Sequence, residues 1–143
     1  LIGEAIQAEL AGHIAELIEL LGLGRLGLET RAFLEETRVL PLDVRGTKVD
    51  LIFGELPFER QAIARAKAVD FAGHPVKVCT AEDLVVHKIL AERPKDEEDL
   101  KGLARRLGGT LDRAYLDPIV RSLAKQLDRP DLWERFERLF GKS

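Results

Sequence analysis

Helix breakers set at short intervals through the C-terminal third leave this chain little choice there but a series of short helices. Pro94, the pair Gly108-Gly109, Pro118 and Pro130 each interrupt the backbone ladder. Proline lacks the N–H and crowds the preceding turn, and glycine gives up most conformational freedom by staying helical. Between the breaks, apolar residues recur at intervals of three and four. Leu100, Leu103, Ala104 and Leu107 form one stripe from Asp96 onward, and Leu132, Phe136, Leu139 and Phe140 form another after Arg129-Pro130. Asp117-Pro118 reads as a cap and first-turn proline, starting a helix to about Leu127. A striped helix must bury its stripe against another element, so a helical layer is expected over residues 81–143.

Upstream the period changes. Thr47 to Phe53 is rich in β-formers and flanked by turn signals. It is expected to pair antiparallel with an extended Arg38 to Val44 across Arg45-Gly46, Pro41 marking an edge strand. Val69 to Phe71 and Val76 to Cys79 read as a hairpin around Ala72-Gly73-His74, where Gly73 can take positive φ. Helices are expected from Glu4 to Leu21, where Ile6, Leu10, Ile14, Leu17 and Leu21 share a face stopped by Gly22 and Gly24, and from Phe58 to Lys67 with Ala62, Ile63 and Ala66 inward. Gly27 to Glu36 is a short helix or loop. Thr80 caps a helix to about Glu92, its acids Glu82 and Asp83 complementing the dipole. The fold class is α+β: a small mixed or antiparallel sheet with flanking helices in residues 1–80, then the helical layer, the 143 residues forming one domain with a shared core.

No apolar run approaches the roughly 20 residues that span a bilayer, and the N-terminus has no signal-peptide pattern. Cys79 is the only cysteine, so no internal disulfide forms and a cytoplasmic location without membrane association is expected. The net charge of −3 removes the broad electrostatic drive of sequence-independent nucleic-acid binders, leaving room for a local basic patch at Arg105, Arg106, Arg113, Arg121 and Lys125. Leu, Arg and Glu are abundant while Asn and Met are absent, as in thermophile proteins, and residue 1 is not an initiator methionine.

Several residues break their local pattern. Asp50 sits mid-strand on the face of Lys48 and Ile52, opposite Val49, Leu51 and Phe53. Its carboxylate faces solvent, pairs with a cation such as Lys48, or holds a metal. Lys88 falls where Leu84, Val85 and Ile89 would complete an apolar stripe; either its stem covers apolar surface while the ammonium reaches water, or it is a phosphate ligand. His87 faces another way and reads as a surface residue. The charges from Arg93 through Lys95 and Asp96 to Asp99 gather at a helix junction, where first-turn acids are expected on dipole grounds alone. His13 and Cys79 have no partners at ligand spacing, there is no glycine-rich phosphate loop, and Ser122 and Ser143 lack a nucleophile context.

Three pieces in order carry a resemblance: Val49-Asp50-Leu51-Ile52, then Thr80-Ala81-Glu82-Asp83-Leu84-Val85-Val86-His87-Lys88, then Ala91-Glu92-Arg93-Pro94-Lys95-Asp96-Glu97-Glu98-Asp99-Leu100. Over roughly residues 37 to 116 the chain resembles the nucleotidyltransferases related to the abortive-infection toxin AbiEii. The resemblance implies a DNA-polymerase-β-like fold in which an aspartate pair and a third carboxylate hold Mg²⁺ for transfer of a nucleoside monophosphate. Asp50 matches the third carboxylate, and so a catalytic and metal role, with Lys48 supporting it. Lys88 matches the nucleotide-binding lysine. Arg93 and Lys95 fall in the charged motif beside the nucleotide, where Asp96 and Asp99 position basic or catalytic groups.

The family's glycine turn and aspartate pair should precede the first helix. Leu1-Ile2-Gly3 reads as the tail of that strand, so a further N-terminal segment is expected, and without it the chain should be inactive. The resemblance implies an enzyme that takes an NTP and modifies an RNA or protein acceptor, in the setting of a toxin held by an antitoxin protein. The alternatives are a non-catalytic nucleotide-binding or interaction module of the same fold, and a thermophile domain in which Asp50 and Lys88 pair with each other.

Overall fold

A two-residue loop closes each of the two strand pairs. The computed structural model describes residues 28–141 apart from Arg45 and Glu55. The expected helix over Glu4–Leu21 with its glycine stop, His13, the Leu1-Ile2-Gly3 strand tail and Ser143 lie outside the described residues. The chain divides into two compact units, Leu1–Glu55 and Leu56–Ser143.

In the first unit, helix α1 (Leu28–Thr37) leads into strands β1 (Val39–Val44) and β2 (Thr47–Ile52), which pair antiparallel with Leu40 opposite Leu51 and Pro41 opposite Asp50. The stretch that reads as a helix or loop is therefore a helix. Its exit is set by Arg38, at φ 59°, whose N–H donates to the Leu34 carbonyl at 2.8 Å. The Phe53 N–H donates to the Arg38 carbonyl at 2.9 Å. Because hydrogen-bonded pairs alternate along an antiparallel ladder, Pro41 then falls in a non-bonded pair, where its missing N–H costs the ladder nothing. The strand faces separate as the alternation predicts: Leu40 is fully buried and Val49 and Leu51 half-buried, while Lys48, Asp50 and Ile52 are exposed.

The second unit runs α2 (Pro57–Arg65), β3 (Lys67–Phe71), β4 (His74–Val78), α3 (Ala81–Ala91), α4 (Pro94–Leu107), α5 (Arg113–Gln126) and α6 (Pro130–Phe140). β3 and β4 are a separate antiparallel pair joined by Ala72-Gly73, both at positive φ as a type I′ hairpin requires. The Asp70 carboxylate accepts the Gly73 N–H at 3.2 Å and steadies the turn. Thr80 caps α3 by accepting the Asp83 N–H. Val85, Val86 and Ile89 of α3, Leu100 of α4, Leu116 and Val120 of α5, and Leu132 and Phe136 of α6 are at most 2% exposed and form the core of this unit. Two two-stranded antiparallel sheets and six helices among the described residues make the α+β class plain.

Several boundaries shift for identifiable reasons. α4 begins at Pro94 rather than Asp96, because a proline at the first helical position forfeits no hydrogen bond. α5 begins four residues before Asp117-Pro118: the Asp112 carboxylate accepts the Tyr115 N–H at 3.1 Å, and this cap outcompetes the later one, leaving Pro118 inside the helix. In α2 the buried residues are Phe58 and Ala62, four apart, whereas Ile63 is 64% exposed, about 100° further round the helix. No described helix is long and apolar enough to cross a membrane.

Candidate functional site

Leu84 and Lys88, one turn apart, border the buried Val85–Val86–Ile89 face of α3, and from that border the lysine reaches the first turns of α4. Its ammonium donates to Asp99 Oδ2 at 2.6 Å and to Asp96 Oδ1 at 3.1 Å. The ammonium is thus not merely in water, as the stem-covering reading of Lys88 would have it; the side chain is only 19% exposed and its charge is held between two acids. Asp96 in turn is clamped by Arg93, whose Nε donates to Oδ2 at 2.7 Å and whose Nη2 donates to Oδ1 at 3.3 Å. Arg93 is the N-cap residue of α4 and Asp96 its third residue, so one helical turn brings the fork onto the carboxylate.

Asp96 is 1% exposed, yet the Arg93 guanidinium and then Lys88 hold its carboxyl far below the usual carboxylate range. The hydrogen bond that Lys88 donates to Asp99, with the one to Asp96 adding to it, raises Lys88 above the ordinary lysine value against the opposing effect of burial. Both groups are charged at neutral pH. Among the described residues every buried side-chain nitrogen and oxygen has a partner.

Lys88 opens on a cleft of about 380 Å³ in the second unit, lined also by Leu84, Glu98, Asp99, Gly102, Leu103, Arg105 and Arg106. Glu98 pairs with Lys101 at 2.9 Å. Arg105 and Arg106 are exposed and have no hydrogen-bond or ion-pair partner among the described residues. The cleft therefore joins one anchored cation to two unpaired ones, an arrangement suited to an anion with several charges.

The other residues singled out from sequence are placed differently. Lys95 is exposed in the first turn of α4 without a partner among the described residues. Asp50 and Lys48 lie on the exposed face of β2 in the first unit, and neither makes an ion pair or hydrogen bond among the described residues. Lys48 thus does not hold Asp50, and the Asp50 carboxylate has its lone pairs available. Mg²⁺ takes one or two protein carboxylates together with phosphate oxygens and water, so Asp50 fits as one ligand. No group of three His, Cys, Asp or Glu side chains that could hold a metal ion occurs among the described residues.

Within the expected basic patch, Arg113 is spoken for, donating to Asp117, Glu137 and the Phe140 carbonyl, and Arg121 stacks on Trp133 at 3.7 Å. His87 is half-buried with its ring 5.3 Å from that of Phe58, rather than a surface residue.

A second polar cluster has no signal in the local sequence. Asp83, 2% exposed, accepts from the Thr80 hydroxyl at 2.7 Å, from Tyr115 Oη at 2.6 Å and from Arg65 Nε at 3.3 Å. The Arg65 guanidinium lies 3.8 Å over the Tyr115 ring. Burial and the bond to Asp83 push the Tyr115 phenol up to about 12. A Thr-x-x-Asp pair marks only the cap; Arg65 and Tyr115 come from other elements. Gly102 was also legible only as a lone glycine inside a helical pattern.

Residues 42–131 match the model of a family described as a nucleotidyl transferase of unknown function (DUF2204), a span that contains β2 with Asp50 and the whole of α3 and α4. No curated protein and no solved structure matches the chain.

Proposed function

Since the chain belongs to this family of nucleotidyl transferases, we propose that it moves a nucleoside monophosphate from an NTP to a hydroxyl group of an RNA or protein, with Lys88 meeting the phosphates. The observation that carries this reading is the Lys88 ammonium, fixed by Asp96 and Asp99 and opening on a cleft it shares with Arg105 and Arg106. A cation already charged and oriented stabilises developing negative charge without reorganising when the reaction occurs. In the transfer, the acceptor oxygen bonds to the α-phosphorus, the α–β bridging P–O bond breaks, pyrophosphate leaves with the bonding pair, and the hydroxyl proton passes to solvent or a base. Lys88 offsets charge on the departing phosphates. Asp96 and Arg93 hold it in place, Asp99 adds a second contact while no phosphate is bound, and Lys95 stands exposed at the same helix start.

Asp50 serves in this proposal as one carboxylate ligand of Mg²⁺, its exposure and lack of a partner supporting the role. The metal, when bound, supplies charge neutralisation at the triphosphate. In this proposal the likeness of the three motifs to the AbiEii-related enzymes supports reading the chain as a toxin with an antitoxin protein as its partner.

The test is incorporation of label from each α-³²P-NTP into total RNA and total protein with Mg²⁺ present. Transfer by the wild-type protein, lost in a Lys88→Gln variant whose unfolding midpoint shows that it is still folded, supports the reading. NTP binding without transfer to any acceptor would replace it with a non-catalytic nucleotide-binding module.

A further inference from the structure

The two acids on Lys88 are not equivalent. Asp96 is buried and receives two bonds from Arg93 besides the one from Lys88, so it stays whatever enters the cleft. The Asp99 side chain is 40% exposed, lines the cleft, and has Lys88 as its partner. Its position on the ammonium is the one an incoming phosphate oxygen would need.

Beyond Asp99, the cleft side of α4 is a single stripe: Gly102 follows Asp99 by three residues, Arg105 and Arg106 follow Gly102 by three and four, and all share a face. Glycine inside a helix is a destabilising choice, and here no packing neighbour demands it, since a Cβ added at Gly102 would meet nothing within 4 Å. It leaves a clear floor between the acid and the two arginines. From Asp99 to Arg106 the helix rises roughly 10 Å, a span suited to a chain of phosphates rather than a single one.

We infer that the α3–α4 cleft binds an oligophosphate chain on Lys88, Arg105 and Arg106 across the Gly102 floor, and that Asp99 is a built-in competitor displaced from Lys88 as the chain enters. This rests on the reading that Lys88 meets phosphates. It adds that Arg105 and Arg106 carry the far end of the chain, and that the site is held partly closed to weak anions until a multiply charged one pulls Lys88 from Asp99.

The experiment is a calorimetric titration of the full chain with inorganic tripolyphosphate in EDTA at low fixed salt, with the unfolding midpoint of each variant measured alongside. Asp99→Asn should tighten binding roughly two- to five-fold, the range that a partly exposed ion pair is worth. Glu98→Gln removes the same charge from the same cleft without touching Lys88, and should tighten it less. The double variant Arg105→Gln/Arg106→Gln should weaken binding about ten-fold or more, since charge-assisted contacts to phosphate are strong. Equal tightening by Asp99→Asn and Glu98→Gln, or none by Asp99→Asn, overturns the competitor. Unchanged binding in the double arginine variant overturns the cleft even if Lys88→Gln still weakens binding. Should Lys88→Gln also leave binding unchanged, the phosphate role of Lys88 in the proposed function falls with it.

Discussion

Asp96 is a carboxylate taken almost wholly out of water, and a buried charge is tolerable only where donors replace its hydration. Three donor contacts do so here, from Arg93 and Lys88. Its folded pKa is depressed, so the native state binds fewer protons than the unfolded chain as pH falls below the ordinary carboxylate value near 4. The stabilisation is therefore present above that value and is lost as pH falls through the folded pKa. Asp96→Asn should lower the urea midpoint at pH 7 more than Glu98→Gln does, because Glu98 is exposed, and the gap between Asp96→Asn and wild type should narrow from pH 5 downward. A gap that stays constant with pH would mean the charge on Asp96 does not matter. Tyr115 gives the opposite limb. Its folded pKa is raised to about 12, so stability present below 10 is lost as pH rises between 10 and 12. Tyr115→Phe strands one lone pair of a buried carboxylate and should cost about 1–3 kcal/mol at pH 7 while flattening that alkaline decline; urea unfolding at both pH values checks it.

Among the elements, the β3–β4 hairpin stands apart. All ten of its strand residues are exposed, and the register puts Val69, Phe71, Val76 and Val78 on one face, 41–73% exposed. A two-stranded ribbon with little burial is marginal, so hydrogen exchange should show its amides opening far more readily than those of Val85, Val86 and Ile89; equal protection would mean that its apolar face is covered in solution. α4 carries the reverse imbalance. Gly102→Ala should stabilise it by up to about 1 kcal/mol, seen as a higher urea midpoint, at the expense of the cleft floor. Which elements were legible from sequence follows the same physics. Thr80 capping α3 and Gly73 in its turn are local chemistry, and both stand where the sequence puts them. The start of α5 is ambiguous in sequence because Asp112 and Asp117 are both plausible caps, and the one used, Asp112, lies between the buried Leu111 and Leu116. Ile63 faces outward against expectation because a short charged helix has too few apolar residues to fix its rotation from sequence.

At the scale of the molecule, charged motifs were readable as motifs and unreadable as geometry. The spacing of Arg93, Asp96 and Asp99 around Pro94 identifies a helix start, but that Asp96 is buried and Asp99 only partly so depends on how α3 packs on α4. The Arg65–Asp83–Tyr115 cluster joins α2, α3 and α5 and had no local signature at all. The same distinction separates the two residues on which the proposed function turns. Lys88 is bound into a network, so Lys88→Gln confounds stability with activity. Asp50 lies exposed on β2 and makes no ion pair or hydrogen bond among the described residues, so Asp50→Asn should leave the urea midpoint within about 0.5 kcal/mol of wild type. If Asp50 holds Mg²⁺ as proposed, the same substitution should abolish Mg²⁺-dependent transfer and flatten the dependence of NTP affinity on Mg²⁺ concentration. A large loss of stability with NTP binding intact would instead assign the carboxylate a structural partner and remove it from the site. Unchanged stability and unchanged transfer would make Asp50 an ordinary solvated acid. The substitution is informative in either direction because the exposed face of β2 gives the fold nothing to lose.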